Sequence, residues 1–189
     1  MTETSGTTGS GAATGSGAAP GNGAAPGNDA APDGTELTHV RRDGAVHMVD
    51  VGGKQVTSRV AVAEGFVETT PDVVRLLAQG ELPKGEALGV ARIAGIMGAK
   101  ATSTLIPLCH PLVLDGVDID LEPGDDRVRI EARVRTSGRT GVEMEALTAV
   151  SVAALTVYDM IKAVDRGAVI TGIRVLAKEG GRSGSWSRS

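Results

Sequence analysis

The stretch "GVEMEALTAVSVAALTVYDMIKAVDRG", residues 141–167, decides the fold. From Ala146 to Tyr158 it runs 13 residues without a charge, flanked by Glu143 and Glu145 before and by Asp159 and Lys162 after. A helix that is apolar nearly all round is buried on more than one side. One small sheet covers a single side, so the other side is expected to meet another subunit. Downstream, "ITGIRVLAK" (170–178) reads as a last strand leading into a Gly/Ser-rich end. Upstream lies a hairpin. Val117, Ile119 and Leu121 alternate with acids, Val128 to Val134 alternate with Arg127 to Arg135, and "EPGDD" (122–126) turns between them.

Before the hairpin, Thr70-Pro71-Asp72 supplies an N-cap, a first-turn proline and a dipole-favoured acid for a helix "PDVVRLLAQ" that stops at Gly80. "LPKG" (82–85) reads as a turn. A second helix spans 86–103, where glycines at 89, 95 and 98 cost helix stability and point to close packing against a neighbour. "SRVAVAEGFVE" (58–68) reads as a strand, and "HMVDVGGK" (47–54) as a short strand or extended arm. The order strand, helix, helix, hairpin, helix, strand gives an α+β architecture. It predicts a ferredoxin-like antiparallel sheet with helices packed on one face, assembling through helices into an oligomer.

The first 34 of the 189 residues contain nine glycines, no Lys or Arg, and a repeated "GAAPGN" unit at 17–22 and 23–28. Lacking large apolar groups, they cannot offset the entropy of ordering, so 1–35 is expected to be a disordered tail. Residues 36–183 then form one domain, with 184–189 a flexible end. No charged start and apolar run marks a signal peptide, and no membrane span is expected. The tail holds three acids, leaving 19 Lys+Arg against 20 Asp+Glu elsewhere, from 23 − 3. That balance gives no global attraction for nucleic acid, and the arginine row of the hairpin, without aromatic platforms, reads as a solvated strand face. A single cysteine excludes an internal disulfide and fits a cytoplasmic protein.

No phosphate-loop, G-x-G-x-x-G, C-x-x-C or H-E-x-x-H pattern is present. Cys109 and His110 are neighbours in "LIPLCHPL" (105–112), and His39 and His47 lie far off, so a zinc set of three or four ligands is not offered. Adjacent residues rarely bring sulfur and imidazole within hydrogen-bond reach, which disfavours a Cys–His nucleophile pair. Pro107 and Pro111 restrict the backbone around His110, leaving a binding or acid–base role and a structural role both open. Glu145 and Asp159 differ by about 40° around the helix axis but lie roughly 21 Å apart along it, too far to share one small reacting centre within a chain. A two-fold dimer with this helix antiparallel to its partner would bring such ends together. The alternative for Asp159 and Lys162 is an ordinary i,i+3 ion pair. Arg59, Lys84, Arg92, Lys100, Arg139, Lys178 and Arg182 are cations that would form a phosphate site only by converging.

Together "LTHV", "GAVHMVDV", "KGEALGVARIAGIMGAK", "LIPLCHPL", "RTGVEMEAL" and "ALTVYDMIKAVDRG" closely resemble the cyclic pyranopterin monophosphate synthase family of molybdenum cofactor biosynthesis. The likeness runs from Leu37 to Ser183, and Arg139 stands where lysine is common, with charge kept. The resemblance implies conversion of 3′,8-cyclo-7,8-dihydro-GTP into a cyclic pyranopterin monophosphate with release of pyrophosphate. It also implies no redox cofactor, although Mg²⁺ could accompany the triphosphate, and no protein-bound metal. Carried over by position, Asp159, Lys162 and Lys84 are the implied catalytic residues. A buried Asp159 would act as base or orient the lysine, and a desolvated Lys162 would have a lowered pKa. Leu108, Cys109, His110, Met144 and Glu145 are implied substrate contacts, joined by Glu143, Arg59, Lys178 and Arg182. His110 is then the substrate-contacting group held by its prolines, and Cys109 a bystander. The family implies a homohexamer, a trimer of dimers with sites at the dimer interface. A non-catalytic oligomeric scaffold, or a Cys–His hydrolase or zinc protein, are the rival readings.

Overall fold

A computed structural model describes residues 46–189; the tail expected at 1–35 and the "LTHV" motif lie outside the described residues. The elements in chain order are β1 (Thr57–Glu68), α1 (Pro71–Gln79), α2 (Ala87–Lys100), the one-turn α3 (Thr102–Leu105), β2 (Gly116–Pro123), β3 (Arg127–Gly138), α4 (Glu143–Ile161), β4 (Val169–Glu179) and the two-residue β5 (Trp186–Ser187). Strand order is β2-β3-β1-β4-β5, every pairing antiparallel. The first four strands with α2 and α4 therefore make the split β-α-β pairs of the expected ferredoxin-like α+β fold.

Local signals act as the sequence suggests. Thr70 Oγ1 accepts from the Val73 amide, Pro71 opens α1, and Gly80 closes it in the left-handed conformation (φ 69°). A backbone bond from Gly85 N to Leu82 O closes the 82–85 turn. The second helix departs from its expected span of 86–103: it breaks at Ala101 (φ −93°, ψ 2°), and the chain restarts as α3. The segment 47–54 is an arm without ladder pairing that turns at Gly52-Gly53, where Lys54 N donates to Val51 O at 3.0 Å, and the C-terminal end, read as a tail, carries β5 against β4.

The core is aliphatic and alanine-rich. Ala61, Ala63 and Val67 of β1 and Val128, Ile130, Ala132 and Val134 of β3 are fully buried beneath α4. On the other flank of α4 lies α2 of the same chain. A Cβ on Gly95 would come within 2.9 Å of the Ala149 carbonyl oxygen and 3.2 Å of the Ala153 Cβ, and one on Gly98 within 2.8 Å of the Val152 side chain. These two glycines permit the helix–helix approach, as expected. Gly89 does not share that role, because its space is filled by the Glu86 carboxylate capping α2. A second side of α4, read from its apolarity as meeting another subunit, is thus covered by α2 of the same chain. What stays exposed is a stripe of Val90, Ile93 and Met97 on α2, with Leu155 on α4.

The helix-free face of the sheet neutralises its own charges. Glu64, 5 % exposed, takes Arg129 at 3.0 Å and Arg174 at 2.6 Å. Both arginines outweigh the burial that would otherwise raise its pKa, so the carboxyl sits below the ordinary glutamate range. Arg135 pairs with Asp118, and Arg127 with Asp126 and Glu68. Of the arginine row, Arg127, Arg129 and Arg135 are ion-paired on the strand face.

Candidate active site

A cavity of about 290 Å³ opens where the N-terminal end of α4 meets the proline-bracketed loop and the arm. Leu108, Cys109 and His110 form one wall, and Glu143, Met144 and Glu145 another. The loop is shaped locally. A turn bond runs from Cys109 N to Ile106 O at 3.1 Å, and beyond Pro111 the chain is tied to β3 by Thr136 Oγ1 donating to Val113 O at 2.7 Å. Two motif segments, each implied as substrate-contacting, converge here from separate parts of the chain, and the arm closes a third side.

Glu145 is 4 % exposed, and burial first, then the negative charge of Glu143, holds its carboxyl above the ordinary range. A carboxyl shifted in that direction holds its proton more readily than a solvated glutamate and can exchange it with a bound substrate. Burial and the charge of Glu145 likewise push the Cys109 thiol up. It therefore stays a thiol, contrary to what a nucleophile or metal ligand needs. Among the described residues, no three of His, Cys, Asp and Glu are grouped as a metal cage.

Two further cations of the sequence reading attach to this end. Lys178 pairs with Glu143 at 3.3 Å and lies 3.4 Å from Ser183 Oγ. Arg59 reaches the adjoining turn, where its Nε donates to Gly138 O and its Nη2 to Arg139 O. Arg182 is an exposed residue of the 180–184 loop. The arm contributes Val49, Val51 and Lys54, and the turn contributes Thr140 and Gly141, none singled out from sequence. Lys54 is an exposed cation of the lining. Its only advance signal was a position just after the Gly52-Gly53 break, in an arm whose docking is tertiary.

The implied catalytic residues stand elsewhere. Asp159 lies at the far end of α4, bonded by Lys84 at 2.8 Å and by Lys162 at 2.7 Å. Lys84 Nζ also donates to the Asp159 carbonyl oxygen at 2.7 Å, capping the C-terminal end of α4. Here the expectation of burial is corrected. Asp159 and Lys162 are 55 % and 52 % exposed, because both point off the outward stripe that carries Leu155. Hydrogen bonds from Lys162 and then Lys84 hold the Asp159 carboxyl down at about 2. Lys162 is raised by its bond to Asp159, not lowered by desolvation. Asp159 is an anion that fixes two ammonium groups, and the i,i+3 pair is part of a three-residue cluster.

One chain thus carries two clusters at opposite ends of α4: a cavity with carboxylates and His110, and an exposed Lys–Asp–Lys group. The chain matches the model of the MoaC family over residues 48–181. It is 68 % identical over 153 residues to the cyclic pyranopterin monophosphate synthase of Corynebacterium efficiens, covering 81 % of this chain and 99 % of that protein. The synthase of Streptomyces coelicolor is 65 % identical over 153 residues, covering 81 % of this chain and 90 % of that protein. Cyclic pyranopterin monophosphate synthase 2 of Mycobacterium tuberculosis is 62 % identical over 153 residues, covering 81 % and 92 %.

Proposed function

The chain belongs to the MoaC family, and from that premise we propose that it forms cyclic pyranopterin monophosphate in molybdenum cofactor biosynthesis. One observation carries the reading: the motif segments Leu108–His110 and Glu143–Glu145, distant in sequence, wall a single cavity in a chain 68 % identical to a synthase. The substrate is 3′,8-cyclo-7,8-dihydro-GTP. Its five-membered purine ring opens, the carbons rearrange into the pyranopterin, and a sugar-derived oxygen attacks the α-phosphorus as pyrophosphate departs.

Each stage needs protons moved and phosphate charge neutralised. Glu145, kept protonatable by burial, suits proton exchange with the ring system, and His110 suits hydrogen bonding to substrate. Asp159, ionised down to about pH 2, is poorly basic, and its position between two lysines suits orientation. Lys84 and Lys162 then offer positive charge, or a proton, to the departing or attacking oxygens. No oxidation state changes overall, so the reaction calls for no electron carrier, and Mg²⁺ can travel with the triphosphate as part of the substrate. A cytoplasmic setting accords with the single cysteine.

We further propose that the complete site is shared between subunits. A two-fold dimer with antiparallel α4 helices brings the Lys84–Asp159–Lys162 cluster of one chain to the cavity of the other, and three such dimers make the hexamer. The exposed Val90, Ile93, Met97 and Leu155 support burial of this helical face in assembly.

The test supplies the purified protein with the cyclised dihydro-GTP substrate and follows pyrophosphate and pterin product together, with Lys162→Ala alongside. Product from wild type and none from a folded, equally assembled variant supports the reading. Absence of both products with wild type overturns it and favours a non-catalytic scaffold.

A further inference from the structure

Arg59 spends its guanidinium on backbone. Nε donates to Gly138 O at 3.0 Å and Nη2 to Arg139 O at 3.1 Å. These carbonyls open the turn that hands β3 over to α4, and the same turn lends Thr140 and Gly141 to the cavity. To reach them the side chain crosses directly over Gly181. A Cβ there would strike Arg59 Nη1, and the Gly181 backbone is left-handed (φ 73°). Gly180 (φ 90°) is equally closed, since its Cβ would strike the Ser58 carbonyl oxygen. These glycines begin the loop carrying Ser183, which contacts Lys178, which in turn pairs with Glu143 in the cavity. One planar fork therefore bonds the cavity turn while lying over Gly181 of the C-terminal loop, and a lysine ammonium could not span both carbonyls in that geometry.

We propose that Arg59 is a positioning residue: bridging the 138–141 turn across Gly181, it locks the 180–184 loop to the cavity wall and fixes where Lys178, Glu143 and Thr140 stand. This role rests on the cavity being the place of turnover, and it differs from direct contact with phosphate.

Gly181→Ala keeps the Arg59 charge while closing the room for its crossing, and the strain that alanine adds at φ 73° is common to the single and double variants at Gly181. Steady-state kinetics of wild type, Gly181→Ala, Arg59→Lys, Arg59→Gln and the Arg59→Gln/Gly181→Ala double variant would be measured beside amide exchange over 138–141 and 180–184. Misplacement of site groups should lower kcat by roughly 10–100-fold in every single variant, with KM moved far less. The double variant should be no worse than Arg59→Gln, and exchange should quicken in both segments together. Arg59→Gln raising KM at constant kcat, with Gly181→Ala like wild type, overturns the proposal in favour of direct phosphate contact. Exchange quickening in one segment alone also overturns it. A wild type without turnover defeats the functional reading instead, and the exchange data then still decide whether Arg59 joins the two segments.

Discussion

Lys84 and Asp159, 75 residues apart in the chain, meet through two bonds from one ammonium, 2.8 Å to Oδ2 and 2.7 Å to the carbonyl oxygen. The lysine therefore both holds a carboxylate and caps the helix that carries it. With Lys162 on the other carboxylate oxygen, Asp159 is fixed by two positive charges.

That geometry makes Asp159 a low-pH group. Its folded value is depressed to about 2 from an ordinary 3.8, so its contribution is complete above pH 3.8 and is lost only as pH falls toward 2. Carboxyl NMR should show Asp159 titrating near 2 in the folded protein, and the acid limb of the rate profile should belong to another group. Asp159→Asn should lower kcat by roughly 10–100-fold, through loss of the orientation of Lys84 and Lys162.

Glu145 has the opposite sign. Its folded value is raised by burial, so the folded state binds the proton more tightly than the unfolded chain. The associated stability is present below the ordinary glutamate value and is lost as pH rises through the folded one. Glu145→Gln should therefore gain on wild type in melting temperature as pH is raised from 4 to 8, while turnover falls. Parallel thermal melts across that range, with a constant difference between the two proteins, would refute the assignment.

Cys109 is held as a thiol by burial and by the charge of Glu145. Alkylation by iodoacetamide should be slow at neutral pH and accelerate only above the ordinary thiol range of about 8.5. Cys109→Ala should keep most of the activity. Complete loss in a folded variant would restore a chemical role for the sulfur.

Gly95 and Gly98 should respond differently from Gly89. A methyl at Gly95 meets the Ala149 carbonyl oxygen, which cannot yield without moving α4, and such overpacking costs about 1–3 kcal/mol. At 2–4 °C per kcal/mol for a chain of this size, Gly95→Ala should lower the melting temperature by roughly 2–12 °C. At Gly89 the obstacle is the movable end of the Glu86 side chain. Loss of that cap, about 1 kcal/mol, is offset by the comparable helix preference of alanine, so Gly89→Ala should be near neutral. Scanning calorimetry of the two variants side by side checks both.

Much of the fold was legible because its signals are local. Thr70-Pro71-Asp72 and Gly80 bound α1 by capping chemistry, and the alternation through Val128–Val134 marks a half-buried strand whatever lies beside it. The break at Ala101 was not legible, since neither glycine nor proline marks it. The covering of α4 by α2 was not legible because apolarity says that a face is buried and never by what. The motif residues of the cavity were legible by resemblance, but Lys54, Val49 and Val51 reach it through the docking of an arm that has no ladder of its own. The burial expected of Asp159 and Lys162 failed for a geometric reason. An uncharged run fixes the average character of a helix, whereas exposure depends on the few positions that share the stripe with Leu155.

Two half-sites at opposite ends of one α4 have a genetic corollary. A chain damaged at Lys162 keeps a sound cavity, and a chain damaged at Glu145 keeps a sound lysine cluster. Shared across a two-fold axis, a mixed pair unites both lesions in one site and leaves the other whole. Co-assembly of two inactive chains should then restore up to about a quarter of the wild-type activity, half the dimers being mixed with one intact site of two. Two dead alleles would complement each other, and two lesions in the same end would not.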